Sequence, residues 1–441
     1  MPKIGLLTLC HTDYICQAIN NQRDNIANAL RDKGVDVVYS DTLCDDFAKA
    51  SAEARRLIKE DVEGVIFFLG SWIECPTAMA AVREMEHLPM CLFGFPMYEE
   101  NGRLESTGAY VSYAMFKGVM DRVGYAYKGV LGNTDDPAVH EQLLSFCVAA
   151  SASERMKRTR IGLVGYTSMS IYTGTFDHVL LRAIVGPEVE QMDSYTLINM
   201  AEAVSDAEVD EAIDWLKARS RIRTEVTSES LRKAIRLYVA MKKTCNDKAL
   251  DAFNIKCQYE FSKEYKAVPC VPASMLADSG VVSSCEGDMM LTVSMTLMHY
   301  LSGAPVSYGD SMNNNGNVVK FSSCGFNPFS FGTKETCEVR NFMPHPGFTG
   351  IQTSFVLRPG RVTVMRLVED VGSYHIVYMT GEGLETELRQ GYMPALDVRL
   401  DGDVQKFLEN LSGQHYAIVY GDISDRIEDY ARIMGFDAIR I

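Results

Sequence analysis

The sequence has two tryptophans in 441 residues and no apolar run of the ~18 residues that a membrane-spanning helix needs. Its twelve cysteines include no C-x-x-C pair, so zinc-cluster and disulfide-framework readings fail on spacing. There is no G-x-G-x-x-G and no Walker A pattern; Gly162-x-x-Gly165 alone does not make a nucleotide loop. A G-x-S-x-G nucleophile elbow is absent as well. Positive charge is in deficit: 43 Lys and Arg stand against 58 Asp and Glu, a net charge of −15. That balance argues against general nucleic-acid binding. It leaves an anionic small substrate open, because a local Arg or Lys can act against the global field.

What is present is an ordinary globular composition, 47% hydrophobic and 23% charged. The length suits two or three domains. The opening Met1–Cys10 lacks a small-residue cleavage site and a long apolar core, so it reads as a first β-strand rather than a signal peptide. Cysteines such as Cys91, Cys147, Cys257, Cys270 and Cys285 sit in apolar segments. Buried free thiols in a reducing cytoplasm are the simplest account.

Apolar runs at 3–9, 35–40, 63–69 and 89–94 alternate with amphipathic stretches at 14–33, 45–60 and 74–86. This is the βαβ pattern of a parallel sheet. A helix at 136–155 ends the first domain near 156, and Ile161–Gly165 opens a second α/β unit that runs to about 303. Helices are expected there at 206–219, 227–244, 272–280 and 287–301, with a strand at 250–256. From about 304 the pattern turns β-rich: Val318–Phe321, Gly350–Leu357, Arg361–Val368, Tyr374–Met379 and Tyr416–Tyr420, with turns at Asn313–Asn317, Arg358–Gly360 and Thr380–Gly383. The expected fold is α/β, with two Rossmann-like parallel-sheet domains (1–156 and 157–303) followed by a C-terminal β-barrel-like domain (304–441). A final helix at 424–434 is expected beside the barrel.

Three segments concentrate chemistry. Ser284-Cys285-Glu286-Gly287-Asp288 ends a strand, Pro305–Asp310 ends in Gly-Asp, and Ser412-Gly413-Gln414-His415 leads into Tyr416–Gly421. Glu286, Asp310 and His415 together make a hard, mostly oxygen ligand set that suits Mn²⁺ or Mg²⁺ better than Zn²⁺. Taken singly, Glu286 also reads as a helix N-terminal acid, Asp310 as a turn aspartate and His415 as a satisfied histidine at a strand start. Asp288 reads as the capping residue of the following helix.

Together these segments resemble the L-fucose and L-arabinose isomerase superfamily of metal-dependent aldose–ketose isomerases. The resemblance covers most of the chain, and the 24-residue separation of the carboxylates (310 − 286) fits the fucose isomerase branch. It implies Glu286, Asp310 and His415 as metal ligands and Glu286 and Asp310 as the acid–base pair, with Glu286 favoured as the base at C2. The cofactor implied is Mn²⁺, or another divalent cation such as Mg²⁺ or Co²⁺, and the reaction passes through an enediol. Gln414 stands where the family usually has Asn, and Ser323 where many relatives have His. Shortened relatives include isomerases of sulfoquinovose, a 6-sulfonated glucose, which would require a cation near C6.

The resemblance also implies a homo-oligomer in which a neighbour's first domain supplies an aromatic to the site. Trp72, after the third strand, is similar to that residue, although ordinary packing explains it equally well. His11, after the first strand, is a further candidate from a neighbouring subunit. Gln414 is a candidate for a sugar hydroxyl, and His345, held between Pro344 and Pro346, for a substrate-facing loop or a rigid turn. Lys256-Cys257-Gln258 ends a strand facing the same cleft. A cytoplasmic, non-catalytic sugar-binding or regulatory protein on the same scaffold is the alternative.

Overall fold

The structure, a computed structural model, describes residues 1–388 and 390–441. The chain divides into two compact units, Met1–Arg155 with Asp425–Phe436, and Met156–Ser424 with Asp437–Ile441.

The first unit holds β1 (Lys3–Leu9), β2 (Asp36–Val38), β3 (Gly64–Leu69), β4 (Met90–Gly94), a small hairpin of β5 (Tyr98–Glu100) and β6 (Arg103–Glu105), and β7 (Lys128–Leu131). Its main sheet runs β2-β1-β3-β4-β7, and every pairing in it is parallel. Helices Gln17–Asp32, Phe47–Lys59 and Cys75–Met85 make the crossovers. The central strands β3 and β4 are apolar without a break and buried throughout because both faces are covered. Successive side chains point opposite ways, so Ile4, Leu6, Ile66 and Phe68 join one buried cluster while Leu7, Leu9, Phe67 and Leu69 join another. The helix Ser424–Met434 falls mainly in this first unit. Asp429, buried on that helix, ties it there by accepting hydrogen bonds from Lys128 Nζ and Ser145 Oγ, each at 2.5 Å.

The second unit begins with β8 (Arg160–Val164), β9 (Glu188–Met192), β10 (Arg221–Ile222), β11 (Ala252–Ile255) and β12 (Val282–Cys285). A parallel sheet of order β12-β11-β8-β9 places the carboxyl ends of β8, β11 and β12 side by side. The chain continues through β13 (Ser307–Asn315), β14 (Val318–Ser322), β15 (Glu338–Asn341), β16 (Ile351–Ser354), β17 (Gly360–Glu369), β18 (Tyr374–Leu384), β19 (Ala395–Leu400), β20 (His415–Tyr420) and β21 (Asp437–Arg440). Six of these close an antiparallel barrel in the order β17-β20-β13-β14-β19-β18, sealed by β17–β18 pairing, and β21 adds in parallel outside β18. β15 and β16 form a separate small sheet with β10.

The asparagine run is not a turn as its composition suggests. β13 continues through Asn313–Asn315, with Asn315 paired to Val318, and the reversal is confined to Gly316 and Asn317. Gly316 takes φ +55°, the left-handed geometry a tight hairpin needs. No helix of the described residues is long and apolar enough to cross a membrane.

Candidate active site

Glu286 stands on a two-residue turn between β12 and the helix Met289–Ser302. Both Glu286 and Gly287 have φ +65°. A non-glycine residue in that region is strained, and such strain persists only where surrounding contacts impose it. Here they do. Glu286 O accepts from Ser168 N at 2.7 Å, and Gly287 N donates to Asn254 Oδ1 at 2.9 Å. Asn254, fully buried on β11, donates through its amide to Asp288 O at 2.9 Å and Ser284 Oγ at 3.0 Å. The left-handed turn carries the Glu286 side chain off the sheet and delivers Asp288 to the helix N-terminus, where its Oδ1 accepts from Leu291 N at 2.9 Å.

Asp310 and His415 come from the barrel. They are direct partners in the antiparallel β13–β20 ladder. His415 Nε2 lies 3.3 Å from Asp310 Oδ1 and 3.6 Å from Glu286 Oε2. Its other nitrogen, Nδ1, lies 2.8 Å from Asp288 Oδ2. Sequence reasoning assigned Asp288 to the helix cap, which it is, but overlooked this second role. It also overlooked Arg366, a buried cation on β17 whose Nη1 lies 3.2 Å from Asp288 Oδ2 and donates to His415 O at 2.8 Å. Nη2 of the same guanidinium donates to Thr173 O at 2.6 Å.

This order fixes protonation. Burial alone would raise the Asp288 carboxyl, but Arg366 and His415 more than reverse that and hold it at about 2. Ionised Asp288 keeps the Nδ1 proton in place and turns Nε2 toward Glu286 and Asp310. Burial would lower the imidazole, yet Asp288, Asp310 and Glu286 together raise it to about 9. Glu286 and Asp310 are both raised above the usual carboxylate range, in each case first by burial.

His415 Nε2 is buried and makes no hydrogen bond. A buried ring nitrogen without a hydrogen bond is unusual, and here two carboxylate oxygens from two other elements lie 3.3 and 3.6 Å from it. Two oxygens with one imidazole are a donor set whose chemistry suits a hard divalent cation.

The other expected residues are placed as follows. His345 lines a pocket with Glu286, and its Nε2 lies 3.8 Å from Cys324 Sγ, itself 3.9 Å from Glu286 Oε1. Gln414 Oε1 accepts from Thr173 Oγ1 at 3.2 Å, beside the Arg366 anchor. His11 and Trp72 lie together in the first unit with ring centroids 5.4 Å apart, and Tyr14 is tilted against Trp72 at 6.5 Å. Gln258 is buried along the Glu286 pocket, with an Oε1 that has no partner.

Residues 172–304 match the L-arabinose isomerase central domain. The chain is 25% identical to the sulfoquinovose isomerase of Priestia megaterium over 70% of each chain. It is 26% identical to the sulfoquinovose isomerase of a Clostridium species, over 82% of this chain and 80% of that one. A solved arabinose-binding protein from Geobacillus stearothermophilus aligns over 68% of this chain and 87% of its own at 12% identity. Its TM-score of 0.18 is too low to bear on fold or function. The class these matches define is an aldose–ketose isomerase. Within it, the chain is similar to the L-arabinose isomerase central domain over residues 172–304 and to sulfoquinovose isomerases over most of its length.

Proposed function

We propose that this protein interconverts sulfoquinovose and 6-deoxy-6-sulfofructose with the help of Mn²⁺, or of Mg²⁺ or Co²⁺, held by Glu286, Asp310 and His415. The observation that carries the metal assignment is the buried, unpartnered Nε2 of His415 between two carboxylates. The substrate assignment is supported by the sulfoquinovose isomerases that match across most of their length.

A bound divalent cation supplies Lewis-acid polarisation of the substrate carbonyl and favours the charge that develops on O1 and O2. The residues do the rest. Glu286 removes the proton at C2. Asp310 moves protons among the sugar oxygens and C1. Asp288 fixes the imidazole orientation, and Arg366 keeps Asp288 ionised. Gln258, Gln414 and His345 are proposed sugar contacts.

A homo-oligomer in the cytoplasm, with His11 and Trp72 reaching a neighbour's site, completes this reading. The test is aldose–ketose conversion by purified protein, with Mn²⁺ added or chelated, on sulfoquinovose, glucose, L-fucose and L-arabinose. Metal-dependent conversion confined to sulfoquinovose is expected. Conversion that survives full chelation would remove the metal assignment, and turnover of fucose or arabinose with sulfoquinovose inert would move the substrate.

A further inference from the structure

The two oxygens of Glu286 face different chemistry. Oε2 lies 3.6 Å from His415 Nε2, whereas Oε1 lies 3.9 Å from the thiol of Cys324. On that second side the pocket is lined by Cys257, Cys270, Cys285 and Cys324, with His345 and Phe342 farther along the wall. The cysteines are far apart in sequence, and no spacing rule groups them. The fold does, because β11 and β12 are parallel neighbours and Cys257 and Cys285 both stand at their carboxyl ends. Cys257 Sγ, Cys285 Sγ and a Glu286 oxygen all lie within 4.8 Å of one another. Cys257 is half-buried and Cys285 buried, and both line the pocket.

We infer that Cys257, Cys285 and Glu286 form a second metal site, one that takes a thiophilic d¹⁰ cation such as Zn²⁺ or Cd²⁺. A tetrahedral ion with bonds of about 2.3 Å to sulfur and about 2.0 Å to oxygen sets its ligand atoms roughly 3.5–3.8 Å apart. The three atoms lie within 4.8 Å of one another, so binding must draw them together, and Cys285 Sγ must then give up its 2.8 Å contact with Tyr308 Oη. Two thiolates and one carboxylate are a soft-leaning set, unlike the oxygen–imidazole set on the other side of Glu286. Binding converts two thiols to metal-bound thiolates and releases their two protons to solvent, with no change of oxidation state. Cys324 and Cys270 line the same pocket and offer further sulfur. Because Glu286 belongs to both sets, a cation held by the thiols draws this carboxylate away from Asp310 and His415. On the function proposed above, thiophilic cations are therefore inhibitors at a site of their own.

The test uses the full-length protein, freed of metal and kept reduced, titrated with Cd²⁺. The readout is the ultraviolet thiolate-to-cadmium charge-transfer band, with cadmium-edge X-ray absorption on the one-to-one complex. Neither readout depends on turnover, so it stands or falls separately from the isomerase assignment. Wild type is expected to show the band and a sulfur-containing shell. Cys257→Ser and Cys285→Ser should each lose most of the band, and Asp310→Asn should retain it. Cys257 is the less buried of the two, so Cys257→Ser serves as the measure if Cys285→Ser does not fold. An all-oxygen and nitrogen shell in wild type, or a band that survives Cys257→Ser, would overturn the assignment.

Discussion

Asp310 and His415 face each other across the β13–β20 ladder, and this register places Asp310 Oδ1 3.3 Å from His415 Nε2. A slip of one residue in either strand would send one of the side chains to the opposite face of the barrel wall. The hydrogen-bond ladder therefore sets the geometry of half the site, and Glu286 arrives from the other half on a turn of its own. The expected consequence is that Glu286→Gln and Asp310→Asn leave the melting temperature near wild type while kcat falls by roughly 10²–10⁴, the usual worth of a positioned acid or base. Thermal unfolding and steady-state kinetics on the same preparations check this. A variant that keeps wild-type kcat would exclude its residue from proton transfer.

The site should bind its cation in exchange for protons. In the metal-free protein His415 is raised to about 9, so its imidazole is charged at neutral pH and Nε2 has no lone pair to offer. The proton must leave before a cation can bind. Affinity for Mn²⁺ should therefore climb with pH, by about tenfold per unit between pH 7 and 9 for one released proton, and level off above that. Glu286 and Asp310, both raised by burial, add their own proton release wherever the metal-free carboxyls are still protonated. Calorimetric titrations in buffers of different ionisation enthalpy count the protons. A proton count of zero at pH 7 would contradict the charged imidazole.

Asp288 holds His415 and Arg366 at once. With Asp288→Asn, the buried guanidinium loses its counter-charge and the imidazole its anchor. Breaking a buried ion pair on one side costs about 3–5 kcal/mol, and loss of the residue that orients a metal ligand costs about 10–100-fold in metal affinity. Both losses are expected in the single variant. Arg366→Met combined with Asp288→Asn should recover part of the stability but not the affinity, since His415 stays unanchored. Denaturant titration and Mn²⁺ binding on the single and double variants separate the two. Strictly additive stability losses would mean that Asp288 and Arg366 act independently.

The visibility of these residues in the sequence follows their chemistry. Strands such as 63–69 were legible because strands buried on both faces are continuously apolar. β13 was not, because Asn313–Asn315 carry low strand propensity and are held in place by pairing with β14. Glu286, Asp310 and His415 were singled out through motif context, since each alone has an ordinary structural explanation. Arg366 left one signal that could have been read: a charge at the centre of Val364-Met365-Arg366-Leu367-Val368, where both neighbours on each side are apolar. A cation in such a run is buried and must have a partner. Asn254, inside Ala252-Phe253-Asn254-Ile255, has the same signature. Neither pattern names the partner, because that depends on how sheet and barrel elements meet. The same limit hid the Cys257–Cys285 pair, whose proximity comes from strand neighbours rather than spacing.

The turn that carries Glu286 offers a test of whether backbone strain serves the site. A Cβ on Gly287 would lie 2.3 Å from Tyr166 O and 2.7 Å from Thr167 Cα, and φ there is +65°. The obstructing atoms are backbone and cannot rotate away, so Gly287→Ala must move the turn. Gly303, at the other end of the same helix, has φ +70° but nothing within 4 Å of the added carbon. Gly303→Ala should therefore cost about 1 kcal/mol for the left-handed backbone alone and leave kcat unchanged. Gly287→Ala should cost about 1–3 kcal/mol and also lower kcat by about 10²-fold, because a shift of about 1 Å in Glu286 is enough to do so. Equal stability losses with unchanged kcat in both would mean that the turn tolerates displacement and that its strain has no part in positioning Glu286.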